Sequence, residues 1–129
     1  MGLVMTKLVY LSKCHTVVAL VRRSGRCDAK IFIEDLELRH KARFQRLIER
    51  LAQDASLLKN PEHYRILNKR DKDGTRVSEL KTNKYRLYLV EYEGYYYATH
   101  GREKPKDSRV PDEVNKALEF YRNWRTGGG

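Results

Sequence analysis

Residues 85–101 read YRLYLVEYEGYYYATHG, and the reading of this stretch decides the fold. Two runs rich in aromatic and aliphatic residues, Tyr85 to Tyr92 and Tyr95 to Gly101, flank the dipeptide Glu93-Gly94. Such side chains suit a pleated, half-buried surface, and a two-residue connector ending in glycine suits a tight hairpin. The stretch predicts two antiparallel strands. Immediately upstream, Tyr64 to Asn68 and Val77 to Leu80 predict two shorter strands, separated by a charged turn from Lys69 to Asp73-Gly74.

Working outward toward the N-terminus, Val17-Val18-Ala19-Leu20-Val21 is short and β-branched-rich and reads as a strand, stopped by Ser24-Gly25. From Asp28 to Leu38, Ile31, Ile33, Leu36 and Leu38 stand among acids and predict a helix. In a second helix, Phe44, Leu47, Ile48, Leu51 and Ala55 fall on one face of a 3.6-residue period, and Asn60-Pro61 closes it. Toward the C-terminus, a last helix is predicted from Pro111. Asp112 and Glu113 lie in its first turn, where the helix dipole favours anions, and Val114, Ala117, Leu118 and Tyr121 hold helical spacing.

Strand, two helices, three or four antiparallel strands and a helix make an α+β fold. The N-terminal strand and two helices are expected to pack on a curved, mainly antiparallel sheet of three to five strands, with a C-terminal helix. The helices are expected on one face, leaving the other uncovered. The 129 residues suffice for one core, assigned to residues 17–125. Residues 1–16 are read as an N-terminal extension of unknown role and 126–129 as a glycine-rich tail.

The formal net charge is +10, and it is unevenly spread. Residues 1–26 carry five Lys/Arg and no acid, and residues 63–86 carry eight against three acids. Residues 27–62 balance at seven each, and 87–101 hold two acids and no base. A local excess costs self-repulsion unless a polyanion meets it, so a nucleic-acid partner is favoured over a charge kept for solubility. No apolar run is long enough to span a bilayer, and the stretch from Leu3 to Leu11 is broken by Lys7 and lacks a small-residue cleavage site. No membrane association and a cytoplasmic location are therefore expected. Cys14 and Cys27 form no C-x-x-C pair and read as free thiols rather than metal ligands, so neither metal nor cofactor is expected.

On the uncovered face and its rim, Arg76, Lys81, Lys84, Arg86, His100, Arg102, Lys104, Lys106 and Arg109 are the candidates to hold a strand of RNA. Tyr88 and Tyr96 can stack on bases or pack across strands. His100 stands among cations at a strand end, where an imidazole serves as acid or base near neutral pH or caps the sheet by hydrogen bonds. Cleavage of RNA through its 2′-hydroxyl needs a base, cations for the crowded phosphorane and an acid for the departing 5′-oxygen. His100, Arg86, Arg102 and Lys104 form the candidate catalytic set. A DNA-binding regulator is disfavoured: no helix-turn-helix is evident, and the arginine-rich face of residues 39–50 reads as a solvated helix surface.

An ordered series of short motifs runs from Ser24-Gly25 through Ile33-Glu34-Asp35-Leu36, Lys41-Ala42-Arg43 with Leu47 and Leu51, and Glu79-Leu80-Lys81. It continues with Tyr85-Arg86-Leu87-Tyr88, His100-Gly101 with Lys104 and Lys106, and Pro111-Asp112-Glu113-Val114 with Ala117. Over about residues 17–122 the layout resembles the RelE-superfamily toxins of the HigB type, including related phage-derived proteins. The resemblance implies a RelE-like microbial RNase fold and a metal-independent endoribonuclease that cuts mRNA on the ribosome. It also implies neutralisation by a cognate antitoxin protein. In that likeness Arg86 matches the arginine of the Tyr-Arg strand, His100 the histidine of the His-Gly motif, and Arg102 and Lys104 the basic loop. The chain departs from the pattern with Arg102 where phenylalanine is common, with Lys104-Pro105-Lys106 in place of paired lysines, and with Lys81 in place of an arginine. A catalytically inactive protein of the same fold that binds RNA, ribosome or a partner protein is the alternative.

Overall fold

The structure is a computed structural model that describes residues 7–54 and 60–127. Among the described residues six strands form one sheet: β1 (Lys7–Tyr10), β2 (Val17–Val21), β3 (Tyr64–Ile66), β4 (Arg76–Lys81), β5 (Tyr85–Tyr92) and β6 (Tyr95–Glu103). Three helices accompany them: α1 (Asp28–Glu34), α2 (Leu38–Gln53) and α3 (Val110–Arg125), the last entered through a 3-10 turn at Asp107–Arg109. The sheet order is β1-β2-β6-β5-β4-β3, with β2 parallel to β6 and every other pair antiparallel. The α+β class and the C-terminal helix are as expected, and the sheet is larger than three to five strands. The extra strand is β1, supplied by a segment set aside as an extension. Leu8, Val9 and Tyr10 pair with Leu20, Ala19 and Val18, and Trp124 of α3 donates its indole N–H to Lys7 O at 2.7 Å.

The β5–β6 hairpin turns at Glu93 (φ 47°) and Gly94 (φ 83°), the two positive-φ positions that a two-residue connection of right-handed twist requires. The first helix is shorter than read. Asp28, held by Arg22 at 2.8 Å and Arg26 at 2.8 Å, opens α1, and the chain bends at Asp35–Glu37 before α2 begins at Leu38. The apolar stripe of α2 is buried through Phe44, Leu47, Ile48 and Leu51. Its expected last member, Ala55, lies outside the described residues.

Strands alternate their side chains between faces, and here both faces are covered. Val17, Ala19, Leu80, Leu87, Leu89 and Ala98 pack against Ile33, Phe44, Leu47, Ile48 and Leu51 of α1 and α2. Leu20, Val77, Tyr88 and Val90 pack on the opposite side against Val114, Ala117, Leu118, Tyr121 and Trp124 of α3. The expectation of an uncovered face is therefore corrected: α3 lies across it. The physical reason is legible in β5, whose Leu87 and Leu89 face one way and Tyr88 and Val90 the other. A strand apolar on both sides must be covered on both.

One irregularity sets the site. The β5–β6 register runs Leu89↔Ala98 but Tyr88↔His100, leaving Thr99 without a partner. This bulge shifts the alternation by one residue. His100 and Arg102 consequently face α3, while Gly101 faces α1 so closely that a Cβ there would overlap the Phe32 ring.

Candidate nucleic-acid interface

At the end of the sheet where β4 stops and β5 starts, two rows of side chains run across neighbouring strands on the α3 side. In the outer row Arg102, Arg86 and Lys81 occupy directly opposed positions of β6, β5 and β4. In the inner row His100, Tyr88, Glu79 and Arg65 occupy opposed positions of β6, β5, β4 and β3. Like charges directly opposite one another destabilise a sheet. Three cations in register are thus a local cost that packing alone does not explain.

Glu79 offsets part of that cost. Its buried carboxylate accepts from Arg65 at 3.0 Å and lies 3.6 Å from Arg86 Nε. Arg86 is itself buried, and its Nη1 donates to Thr82 O at 2.6 Å and Tyr85 O at 2.9 Å. Its guanidinium is thereby fixed toward the β4–β5 turn, one wall of a cavity of about 290 Å³. Lys81, Lys104, Arg43 and His63 also line it, with Glu62 as its one acid. Lys81 donates to Pro61 O at 2.9 Å. Burial, and then the charges of Arg65 and Arg86, lower its pKa below the ordinary ammonium value, against the pull of Glu79. His63 Nδ1 is buried without a hydrogen-bond partner, and its backbone carbonyl receives the N–H of Lys81 at 2.8 Å.

His100 is placed otherwise. It is 5 % exposed and lies flat against Tyr88, ring centroids 4.8 Å apart. Its Nε2 lies 2.9 Å from Glu113 Oε1 of α3, and its Nδ1 lies 3.0 Å from Thr99 Oγ1. The neutral imidazole with hydrogen on Nε2 satisfies both contacts, with Thr99 donating. Burial lowers the His100 pKa, outweighing the hydrogen bond to Glu113. Glu113 is pushed up by burial but held below the usual carboxylate value overall by His100 and Arg102, whose Nη1 reaches Oε2 at 3.0 Å. This trio clamps the first turn of α3 onto β6, the hydrogen-bonded alternative for His100. Sealed beneath that turn, it meets no substrate in this conformation.

The remaining candidates separate. Lys104, exposed, is anchored beside the cavity by its backbone N–H on Lys84 O at 2.8 Å, and Lys84 lies over the Tyr85 ring. Arg76 and Tyr96 belong to the α1–α2 side, where Arg76 pairs with Glu91 at 3.1 Å and Tyr64 donates to the same carboxylate. Tyr88 is fully buried and its hydroxyl has no partner, so it packs across strands and offers no face to a base. Lys106 and Arg109 are exposed before α3, with Arg109 next to Asp112. Arg43, His63, Arg65, Glu79 and Glu113 complete the constellation, although sequence reasoning did not place them in it. The neighbours that share the face of Glu79 in β4, Val77 and Lys81, were a usable sign, since a carboxylate on a strand face that becomes buried needs a cation beside it.

Among the described residues no cluster of His, Cys, Asp and Glu is arranged to hold a metal ion, and no helix is long and apolar enough to cross a membrane. Cys27 is buried near the α1 start and Cys14 is exposed, both as free thiols. Comparison with protein-family models, with curated proteins and with solved structures finds no match to this chain.

Proposed function

We propose that this chain is an endoribonuclease of the toxin–antitoxin type that cuts mRNA on the ribosome without a metal and is neutralised by a partner antitoxin. The observation that carries the reading is the in-register row Lys81–Arg86–Arg102, opening beside a cavity that Lys104 and Arg43 also line. Preorganised cations of this kind bind a phosphate and stabilise added charge on it at no cost of reorganisation. The ribosome and the antitoxin enter through the family resemblance.

In this reading the chemistry belongs to the cavity. His63, a wall residue of that cavity, takes the proton of the ribose 2′-hydroxyl as the 2′-oxygen bonds to phosphorus. Arg86 and Lys104 neutralise the phosphorane. The bond to the 5′-oxygen breaks, and Lys81, its pKa lowered, gives that oxygen a proton. The products are a 2′,3′-cyclic phosphate and a 5′-hydroxyl. His100 acts through Glu113 on the placement of α3.

A second reading, an RNA-binding protein that does not cut, is favoured by one observation: the burial of His100, the histidine of the family motif. The two separate when the purified chain, stripped of metal beforehand, meets mRNA-programmed ribosomes in magnesium buffer and the RNA ends are mapped. Cuts with cyclic-phosphate ends, slowed at least about 100-fold by Lys81→Ala, support cleavage. RNA retained but intact assigns the second reading, and neither binding nor cutting overturns both.

A further inference from the structure

On α2, Arg39, Arg43, Arg46 and Arg50 stand at spacings of four, three and four residues, which places them on one stripe of the helix. The stripe lies on the side away from the buried Phe44, Leu47, Ile48 and Leu51, and its four arginines are exposed. From Arg39 to Arg50 it spans about 16 Å at 1.5 Å per residue. Arg43 belongs both to the stripe and to the wall of the basic cavity, so the two surfaces are continuous.

Two acids near the stripe are themselves engaged. Glu49 accepts the backbone N–H of Lys13 at 3.1 Å, and Glu37 faces Arg39 at 3.5 Å in a pair whose members are 74–79 % exposed and therefore weak. Beside the stripe, a shallow hollow is lined by Ala42, Gln45, Arg46, Glu49, Arg50 and Gln53, without an aromatic ring. Duplex RNA is recognised through shape and backbone and needs no aromatic platform. A line of arginines along one helix face, whose guanidinium groups grip phosphate through paired hydrogen bonds, suits recognition of that kind.

We infer that the arginine stripe of α2 is a docking surface for the phosphate backbone of double-stranded RNA, distinct from the single-strand cavity it adjoins. The inference builds on the proposed RNA partner and gives it a second element: a structured helix held by α2 while an unpaired strand enters the cavity. This revises the reading of residues 39–50 as a merely solvated surface.

The test uses the whole chain, an RNA duplex of about 16 base pairs and an oligouridine single strand, titrated over a range of salt. In the Arg39→Gln/Arg46→Gln variant, duplex affinity is expected to fall about tenfold and the log–log salt slope to drop by about two, while oligouridine binding holds within about twofold. Arg39→Lys/Arg46→Lys keeps both charges and is expected to retain the slope. Unchanged duplex affinity in the glutamine variant, or equal loss on both RNAs, overturns the stripe. Binding of poly-glutamate with the same loss overturns it in favour of an acidic protein. Lys81→Ala/Lys104→Ala, run in parallel, reports on the cavity alone: if it leaves oligouridine binding intact the proposed cavity fails, whatever the duplex shows.

Discussion

The two ends of the surface beneath α3 obey different rules. At the hairpin end, Tyr92, Tyr97, Tyr121 and Trp124 form a ring cluster with centroids 5.0–6.4 Å apart, and Arg125 lies 4.8 Å above Tyr92. Every side chain there is accounted for by area removed from water and by aromatic geometry. At the opposite end, Lys81, Arg86 and Arg102 meet in register, and the four cations there, Arg65 included, share two buried carboxylates, Glu79 with Arg65 and Arg86 and Glu113 with Arg102. Tyr88 and His63 are left with unpartnered polar atoms. One end is what folding alone selects, and the other carries charge and unsatisfied groups that folding alone would remove. Where local rules are broken without a packing gain, a ligand is the expected compensation.

The contrast can be broken by mutation, beginning with the largest effect. Arg86→Ala leaves Glu79 short of a buried partner and is expected to cost about 3–5 kcal/mol of stability by denaturant titration as well as RNA affinity. Lys81→Ala, by comparison, is expected to reduce cleavage at least about 100-fold with its melting transition almost unmoved. If Lys81→Ala instead unfolds the chain, the basic end is a structural network after all. Gly101→Ala forces the Phe32 ring aside and is expected to cost about 1–3 kcal/mol, read from the shift in the urea midpoint. Glu113→Gln weakens the clamp on α3, with an expected loss of about 1–3 kcal/mol and faster amide exchange in the first turn of that helix.

A pH series is the gentlest probe. The His100 pKa is lower in the folded state than in the unfolded chain, so the unfolded chain gains a proton first as pH falls. Stability is thus full above about pH 6.5 and declines below it, down to the folded pKa of His100. Glu113, also held low, contributes stability above the ordinary carboxylate range and loses it as pH falls through its own folded pKa. Both slopes have the same sign. His100→Gln is expected to flatten the upper part of the decline, and an unaltered profile would place the titrating group elsewhere.

Much of this was legible beforehand, and the omissions have physical causes. The hairpin at Glu93-Gly94 was readable because turn chemistry and strand composition agree. The stripe of α3 was readable by period, but not the face it would cover, because period fixes which side of a helix is buried and not against what. The alternating apolar residues of Tyr85–Tyr92 did hold that information. The clustering of Lys81, Arg86 and Lys104 followed from strand ends lying together. The fate of His100 did not, because the Thr99 bulge inverts its direction and nothing in Ala98-Thr99-His100-Gly101 announces a bulge. His63 was set aside, like His15 and His40, as a histidine at an element boundary without a cluster of cations, because it reaches the cavity through the turn before β3 and not along a strand.

The central claim is that the row Lys81–Arg86–Arg102 and its neighbour Lys104 hold RNA phosphates. The most direct measurement is the salt dependence of single-stranded RNA binding by the intact chain and by Lys81→Ala/Lys104→Ala. The account predicts a steep log–log slope of about −0.7 per phosphate held, made shallower by about 1.4 in the double variant. A slope that is flat in the intact chain, or the same in both proteins, would contradict it.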